Sequence, residues 1–176
     1  MAVVGPPGSG KSTLARRLAE RADLDAIDLD ELFHGPGWAE PPTQEFRLRV
    51  AEALQAAEAA RGGWAVAGNY SIVADLVQAR AATIVWLDFD RRHTMPRVLR
   101  RSLRRSLRRE QLWNGNRERW RDLVHPSRSI LAEAWRKAPT TRAKYETLSQ
   151  TPLWASAEVV RLRTPSDVER ILVARA

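Results

Sequence analysis

A chain of 176 residues with an apolar fraction of 44% is long enough for one α/β domain, too short for two of ordinary size and too apolar for disorder. It has no cysteine, which removes disulfides, zinc-thiolate sites and thiol chemistry, and no apolar run approaches the ~20 residues of a membrane span. The formal charge of +8 is local: residues 91–121 hold twelve arginines against Glu110 and Glu118, a net of +10, and the remainder sums to −2. The opening MAVVGPPGSGKS has no basic stretch ahead of an apolar one, so it does not read as a signal peptide, and a cytoplasmic location is expected.

Residues 1–4 (MAVV) read as a short buried strand entering a glycine-rich turn, and Lys11 to about Ala22 as the helix that follows. Ala26 to Asp30 fits a second strand. The Gly- and Pro-dense stretch His34–Pro42 must be loop. Thr43 is placed to cap a helix reaching Ala60, with Phe46, Val50, Leu54 and Ala57 at helical spacing and Gly62-Gly63 as its stop. Trp64–Ala67 is a third strand ending at Gly68-Asn69-Tyr70, and Ile72–Arg80 a short helix. The continuous apolar run Thr83–Phe89 reads as a strand buried on both faces. A basic helix runs from Arg92 to about Leu112, Asn114-Gly115-Asn116 breaks it, and another helix spans about Ser127–Ser149. Glu158–Arg163 is the last strand and Ser166–Ala174 the closing helix. Such alternation requires a parallel sheet with helices on both faces, in one three-layer domain covering residues 1–176.

Gly5-Pro6-Pro7-Gly8-Ser9-Gly10-Lys11-Ser12 matches G-x-x-x-x-G-K-S/T at every fixed position, with a strand before it and a helix after. Glycines allow successive backbone N–H groups to converge on a phosphate. Lys11 reaches the β- and γ-oxygens, the Ser12 hydroxyl is placed to ligate Mg²⁺, and the positive helix end adds to the anion site. Gly5, Gly8, Ser9, Gly10, Lys11, Ser12 and Thr13 are therefore the nucleotide-binding candidates, with ATP and magnesium as the expected cofactors.

Five further segments accompany this motif: DLDELF…W at 28–38, GNYS at 68–71, VWLDFD at 85–90, RVLRRSLRR at 97–105 and RLRTPSD at 161–167. Together with GPPGSGKST at 5–13 they resemble the nucleotide and small-molecule kinase branch of P-loop proteins, which includes adenylate, gluconate and shikimate kinases. Within that branch the chain most resembles the adenylate-kinase-related topology modulation (FlaR-like) proteins. The resemblance implies a P-loop NTPase fold with strand order 2-3-1-4-5, an acceptor-binding insertion at about 31–63 and an arginine-rich lid at about 100–128.

Asp28 and Asp30, two apart at the end of an expected strand, share one side of it. By resemblance Asp30 orients or deprotonates the acceptor and Asp28 helps hold the metal; a solvated strand end is the bland alternative. The Gly68-Asn69-Tyr70 segment resembles an acceptor-contacting loop, but Ala67 stands where adenylate kinases carry an acid and Ser71 near where they carry an arginine. Those departures favour a hydroxyl acceptor over a nucleoside monophosphate. Asp88 has the position of a metal-binding strand-end acid, with a structural role as the better reading. His34 and Trp38 are placed to bracket an acceptor ring, or simply to pack.

Arg97, Arg101, Arg104, Arg105 and Arg108 fall three or four apart, with Met95, Leu99, Leu103 and Leu107 marking another face. By resemblance Arg97 lies near the nucleotide base and Arg101 contacts the transferring phosphates, where guanidinium groups stabilise equatorial charge. Arg117, Arg119 and Arg121 are further candidates, and Arg163 matches a loop that contacts adenine. The rival is an ATP-switched regulatory protein whose arginines, with Trp113 and Trp120, bind nucleic acid. The favoured reading is an ATP-dependent kinase with a small-molecule acceptor and no membrane or nucleic-acid partner.

Overall fold

The computed structural model describes residues 1–118 and 130–174. Five parallel strands form one sheet: β1 (Ala2–Val4), β2 (Asp25–Asp28), β3 (Trp64–Ala67), β4 (Thr83–Leu87) and β5 (Glu158–Leu162). Their order is β2-β3-β1-β4-β5, the order expected above. The helices are α1 (Lys11–Ala22), α2 (Leu29–Phe33), α3 (Thr43–Arg61), α4 (Ala74–Val77), α5 (Arg91–Arg108), α6 (Ile130–Leu148) and α7 (Pro165–Ala174).

Strand alternation divides the core. Ala2, Val4, Trp64, Val66, Ile84 and Trp86 point to one face, where Phe46, Val50, Leu54 and Ala57 of α3 cover them together with Tyr145 and Trp154. Val3, Ala65, Ala67, Val85, Leu87 and Leu162 point to the other, under Leu14, Ala15 and Leu18 of α1 and Ile171 and Leu172 of α7. Tyr145 stacks on Trp154 with centroids 5.7 Å apart, and the Trp154 indole donates to Gln78 Oε1 at 2.8 Å, so the buried polar end of the ring is satisfied.

Several boundaries differ from the sequence reading; strand β4 ends at Leu87 rather than Phe89, and Thr43 is the first residue of α3 with Pro42 at the N-cap. Strand β2 stops at Asp28, because its side chain accepts from the Asp30 N–H at 3.1 Å and caps a helix that starts at Leu29. Asp30 is therefore in a helical first turn rather than on the strand. Residues 71–73 form a single 3-10 turn before α4, so the helix expected over 72–80 is short and broken. Helix α5 ends at Arg108, with Arg109 left-handed at φ 49°, and Trp113–Gly115 forms a 3-10 turn. The expected start of α6, at 127–129, lies outside the described residues, as do Arg119, Trp120 and Arg121.

The leucine stripe of α5 also faces the wrong way for a core helix. Thr94, Val98 and Ser102 are the buried positions, whereas Leu99, Leu103 and Leu107 are exposed. Helix α5 lies against the loop after β1, where a Cβ at Gly8 would meet Val98 and Thr94, and the residues it turns toward that loop are small or β-branched.

Asp88 has a structural role. Its N–H donates to Leu162 O at 2.8 Å, and its buried carboxylate accepts from Arg142 Nε at 2.7 Å and from Arg161 Nη2 at 2.6 Å. Arg161 lies flat over Trp86, 4.0 Å from the ring centroid. The carboxylate thus pins α6 and β5 to the end of β4. Replacing Asp88 by Asn takes the buried anion from two guanidinium groups, leaving Arg142 only Asp90 and Arg161 only Glu146 at the surface, and is expected to cost about 2 kcal/mol of unfolding free energy, read by urea denaturation. A loss indistinguishable from zero would mean that water already screens these pairs.

Candidate active site

The loop between β1 and α1 opens into a cleft of about 2230 Å³ lined by the sequence motif from Pro7 onward. Gly10, at φ 93°, is the N-cap of α1; no side chain caps that end, and no atom lies within 4 Å of where a Cβ would stand. The first-turn N–H groups therefore face open space with the positive end of the helix behind them. Gly8 has the opposite constraint. A Cβ there would lie 2.4 Å from Val98 Cγ2 and 2.8 Å from the Thr94 carbonyl, so the missing side chain is what lets α5 rest on the loop.

Lys11 Nζ donates to Pro6 O at 3.2 Å, and no carboxylate bonds it among the described residues. Burial pushes its ammonium down to about 8, while Asp30 and Asp28 pull the other way and Arg101 adds to the lowering. Such a lysine is held for an anion. Asp28 is half-buried, and burial together with the Asp30 charge pushes its carboxyl up, opposed by hydrogen bonds from Ser12 and from the Asp30 N–H. Tyr70 donates its hydroxyl to Asp30 Oδ1 at 2.8 Å, and burial beside that carboxylate raises the phenol, fixing it as the donor.

Six arginines of α5 line the same cleft: Arg97, Arg100, Arg101, Arg104, Arg105 and Arg108. They are not equivalent. Arg104 pairs with Glu110 at 3.0 Å, and Arg105 pairs with the buried Glu118 at 2.8 Å. Arg101 is half-buried with its Nε unpartnered among the described residues, and burial, then Arg105, lowers it despite Glu118, Asp30 and Asp28. It is a shielded cation under the charges of Glu118, Asp30 and Asp28, and among the described residues its Nε has no hydrogen-bond partner. Arg97 is more exposed and lies over the Phe89 ring at 5.8 Å.

Most residues singled out from the sequence meet in this cleft: Gly8, Ser9, Gly10, Lys11, Ser12, Thr13, Asp28, Asp30, His34, Trp38, Gly68, Asn69, Tyr70, Arg97 and Arg101 all line it. Gly5 and Arg163 do not. The Arg163 N–H donates to Asp167 Oδ2 at 2.9 Å, so its backbone is held by the first turn of α7, which Thr164 Oγ1 caps by accepting from the Asp167 N–H at 3.2 Å, and Pro165 and Val168 line the cleft nearby instead. Asn69 has a second role that no motif signalled. Its Oδ1 accepts from the Gly5 N–H at 3.3 Å and from Tyr145 Oη at 2.7 Å, and its Nδ2 donates to Gly5 O, bracing the entrance of the phosphate loop. His34 and Trp38 meet edge to face at 5.2 Å, so they do not sandwich a ring between them. Trp113 adds a third ring, near-parallel to His34 at 5.9 Å.

The adjacent hydroxyl of Ser12 and carboxylate of Asp28 suit magnesium, which takes hard oxygen donors and retains waters. A carboxyl whose charge is penalised by burial gains from such a cation.

The family model described as an AAA domain matches residues 1–134. The chain belongs to the AAA domain family. Among curated proteins, this AAA domain chain is 34% identical over 94 residues to a shikimate kinase of Corynebacterium diphtheriae, covering 49% of this chain and 54% of that protein. It is 36% identical over 94 residues to a shikimate kinase of Corynebacterium efficiens, covering 49% and 56%. The chain thus spans about half the length of the curated relatives it matches. Its fold is that of P-loop kinases of known structure. An unliganded sugar kinase from Janibacter sp. HTCC2649 superposes with a TM-score of 0.52 at 17% identity, covering 98% of this chain and 91% of that one. A shikimate kinase from Acinetobacter baumannii in complex with shikimate gives 0.52 at 16% identity, covering 98% and 88%.

The lowered Lys11 ammonium fixes a pH dependence. A bound polyphosphate needs the charged form and raises its pKa, so Mg-ATP affinity is level below about 8 and weakens above it, by at most roughly tenfold per unit. Calorimetric titrations between pH 7.5 and 9.5 read this, and an affinity unchanged across that range would place Lys11 away from the phosphates.

Proposed function

We propose that this protein transfers the γ-phosphoryl group of Mg-ATP to a hydroxyl of a small acceptor, giving ADP and a phosphorylated product. The observation that carries the reading is the Asp30 carboxylate, held by the Tyr70 hydroxyl at 2.8 Å in the cleft that contains the phosphate loop and the shielded Arg101. The acceptor oxygen attacks the γ-phosphorus as its proton passes to Asp30, and the bond from phosphorus to the β–γ bridging oxygen breaks to release ADP. Lys11 and the first-turn N–H groups of α1 hold the phosphates. Arg101, with Arg97, balances the charge spread over the transferring group. Ser12 and Asp28 would hold magnesium, whose part is to neutralise the phosphate oxygens and orient them.

In this reading residues 31–63 form the acceptor-binding insertion and residues 100–128 the lid. His34, Trp38, Gly68, Asn69 and Tyr70 surround the acceptor, and Arg163 stands at the nucleotide end. A hydroxyl acceptor is favoured over a nucleoside monophosphate because Ser71 occupies the place of a phosphate-binding arginine. The curated relatives are named shikimate kinases, and the solved structures carry the names of a sugar kinase and a shikimate kinase, which supports the same class. Within the P-loop kinases we place the chain beside the topology modulation (FlaR-like) proteins, on the strength of its DLDELF and GNYS segments.

ADP release measured against a panel of sugars, shikimate, nucleosides and nucleoside monophosphates tests this. One hydroxyl compound is expected to raise turnover well above the hydrolysis background. Asp30→Asn should then lower kcat by about 10²- to 10⁴-fold while leaving nucleotide affinity nearly unchanged. Lys11→Ala should remove nucleotide binding itself. Stimulation confined to a nucleoside monophosphate would overturn the hydroxyl assignment, and an Asp30→Asn enzyme of full activity would remove the base.

A further inference from the structure

Two segments far apart in sequence meet at the mouth of the cleft. One is the loop 34–39 that follows α2; the other is the turn 112–116 that follows the arginine helix α5. Asn116, only 4% exposed, lies between them. Its Oδ1 accepts from the Trp38 N–H at 3.0 Å, and its Nδ2 donates to Gly35 O at 2.9 Å. Both edges of one amide are thus committed to the backbone of a single loop, a pairing whose donor and acceptor are mutually consistent. Asn114 adds bonds from its Nδ2 to His34 O at 2.7 Å and to Glu31 O at 3.4 Å.

The held loop is not one the chain adopts freely. Trp38 sits at φ 64°, in the left-handed region that a bulky residue enters only when its surroundings keep it there. Asn114 sits at φ 54°, which an asparagine tolerates well, and its position turns its side chain back toward the loop. The side chains brought together are the rings of His34, Trp38 and Trp113, with Trp38 and Trp113 edge to face at 6.5 Å. Trp113 in turn carries the Arg105 guanidinium at 5.8 Å, and Arg105 is tied to Glu118.

We propose that Asn114 and Asn116 are positioning residues that join loop 34–39 to the end of the arginine helix, so that the aromatic wall of the acceptor pocket is built jointly by both. The wall's ligand rests on the kinase reading; the joining rests on the contacts alone. Trp113 becomes a specificity-determining residue supplied by the arginine segment, and a movement of α5 toward nucleotide carries Trp38 and His34 with it. Because coupling between two ligands is reciprocal, an acceptor that settles loop 34–39 favours the same arrangement of the arginines.

Hydrogen exchange on the full chain reads the joining directly, using Mg-AMPPNP as the nucleotide probe. In wild type without nucleotide, segments 34–39 and 112–116 are expected to open at a common rate. In Asn116→Ala the Trp38 amide should exchange about tenfold faster or more, with the two segments opening at separate rates. Adding Mg-AMPPNP should slow both segments in wild type and only 112–116 in the variant. Asn114→Ala, at an exposed position, should give a smaller separation, and the isosteric Asn116→Asp one of intermediate size, since it keeps the Trp38 bond and loses the Gly35 bond. Equal exchange at 34–39 in wild type and all three variants, or separate rates in wild type, would overturn the proposal. Failure of Mg-AMPPNP to bind wild type would sink the kinase reading while the nucleotide-free comparison still decides the joining.

Discussion

Two carboxylates two residues apart, both partly withdrawn from water, repel each other and lose hydration unless cations and donors surround them. Asp28 and Asp30 impose that condition on the rest of the cleft. Lys11 answers it from the phosphate loop, Arg101 from the arginine helix, Tyr70 from the end of β3 and Ser12 from the first turn of α1. Lys11 and Ser12 belong to the start of α1, Arg101 to α5 and Tyr70 to the loop after β3, so the acidic pair fixes how those three parts meet. The pair also helps make a shielded arginine tolerable. Among the described residues the Arg101 Nε has no hydrogen-bond partner, yet the charges of Glu118, Asp30 and Asp28 oppose its desolvation.

The close contact between α5 and the phosphate loop follows from the same requirement. For Arg101 to reach the pair, its helix must pass directly over Gly8, and Val98 occupies the space that any side chain at Gly8 would need. Residues of the helix that face inward are accordingly small or β-branched: Thr94, Val98 and Ser102. Leucines at 99, 103 and 107 are too large for that face and lie outside. The amphipathic pattern of the sequence is real, but the side packed toward the protein is chosen by close approach and charge, not by hydrophobicity.

The parallel sheet was legible because alternating strand and helix patterns, with short connections, admit few arrangements, whereas its strand order came from the resemblance to P-loop kinases. The phosphate loop was legible because its motif constrains backbone conformation residue by residue. Asp28 and Asp30 were found as residues but set in the wrong geometry, since a strand pattern through AIDLD concealed the capping preference of Asp28 and the helix beginning at Leu29. Asn69 was read as part of an acceptor-contacting loop, and Asn114 and Asn116 as helix-breaking residues. Their bonds to Gly5, His34 and Trp38 span 64 to 80 positions of sequence, and no local period encodes a contact of that range. Asp88 was read correctly as structural, though its partners Arg142 and Arg161 carry no signal that would distinguish them from other surface arginines.

The arginine surplus itself separates the two readings of this protein. A nucleic-acid strand lying along α5 would need a row of free guanidinium groups on the outward face, spaced to follow successive phosphates. That face instead presents Leu99, Leu103 and Leu107, bordered by Arg100, Arg104 and Arg108, of which Arg104 is already paired with Glu110. Six arginines of α5 line the cleft beside the phosphate loop, within reach of a phosphate held there. The lysines and arginines lining the cleft outnumber its carboxylates, Asp28, Asp30, Glu40, Glu118 and Glu169, and an anion of several charges beside Lys11 would balance that excess. The segment that makes the chain basic is therefore best accounted for as the half of a phosphate site that the glycine loop does not supply.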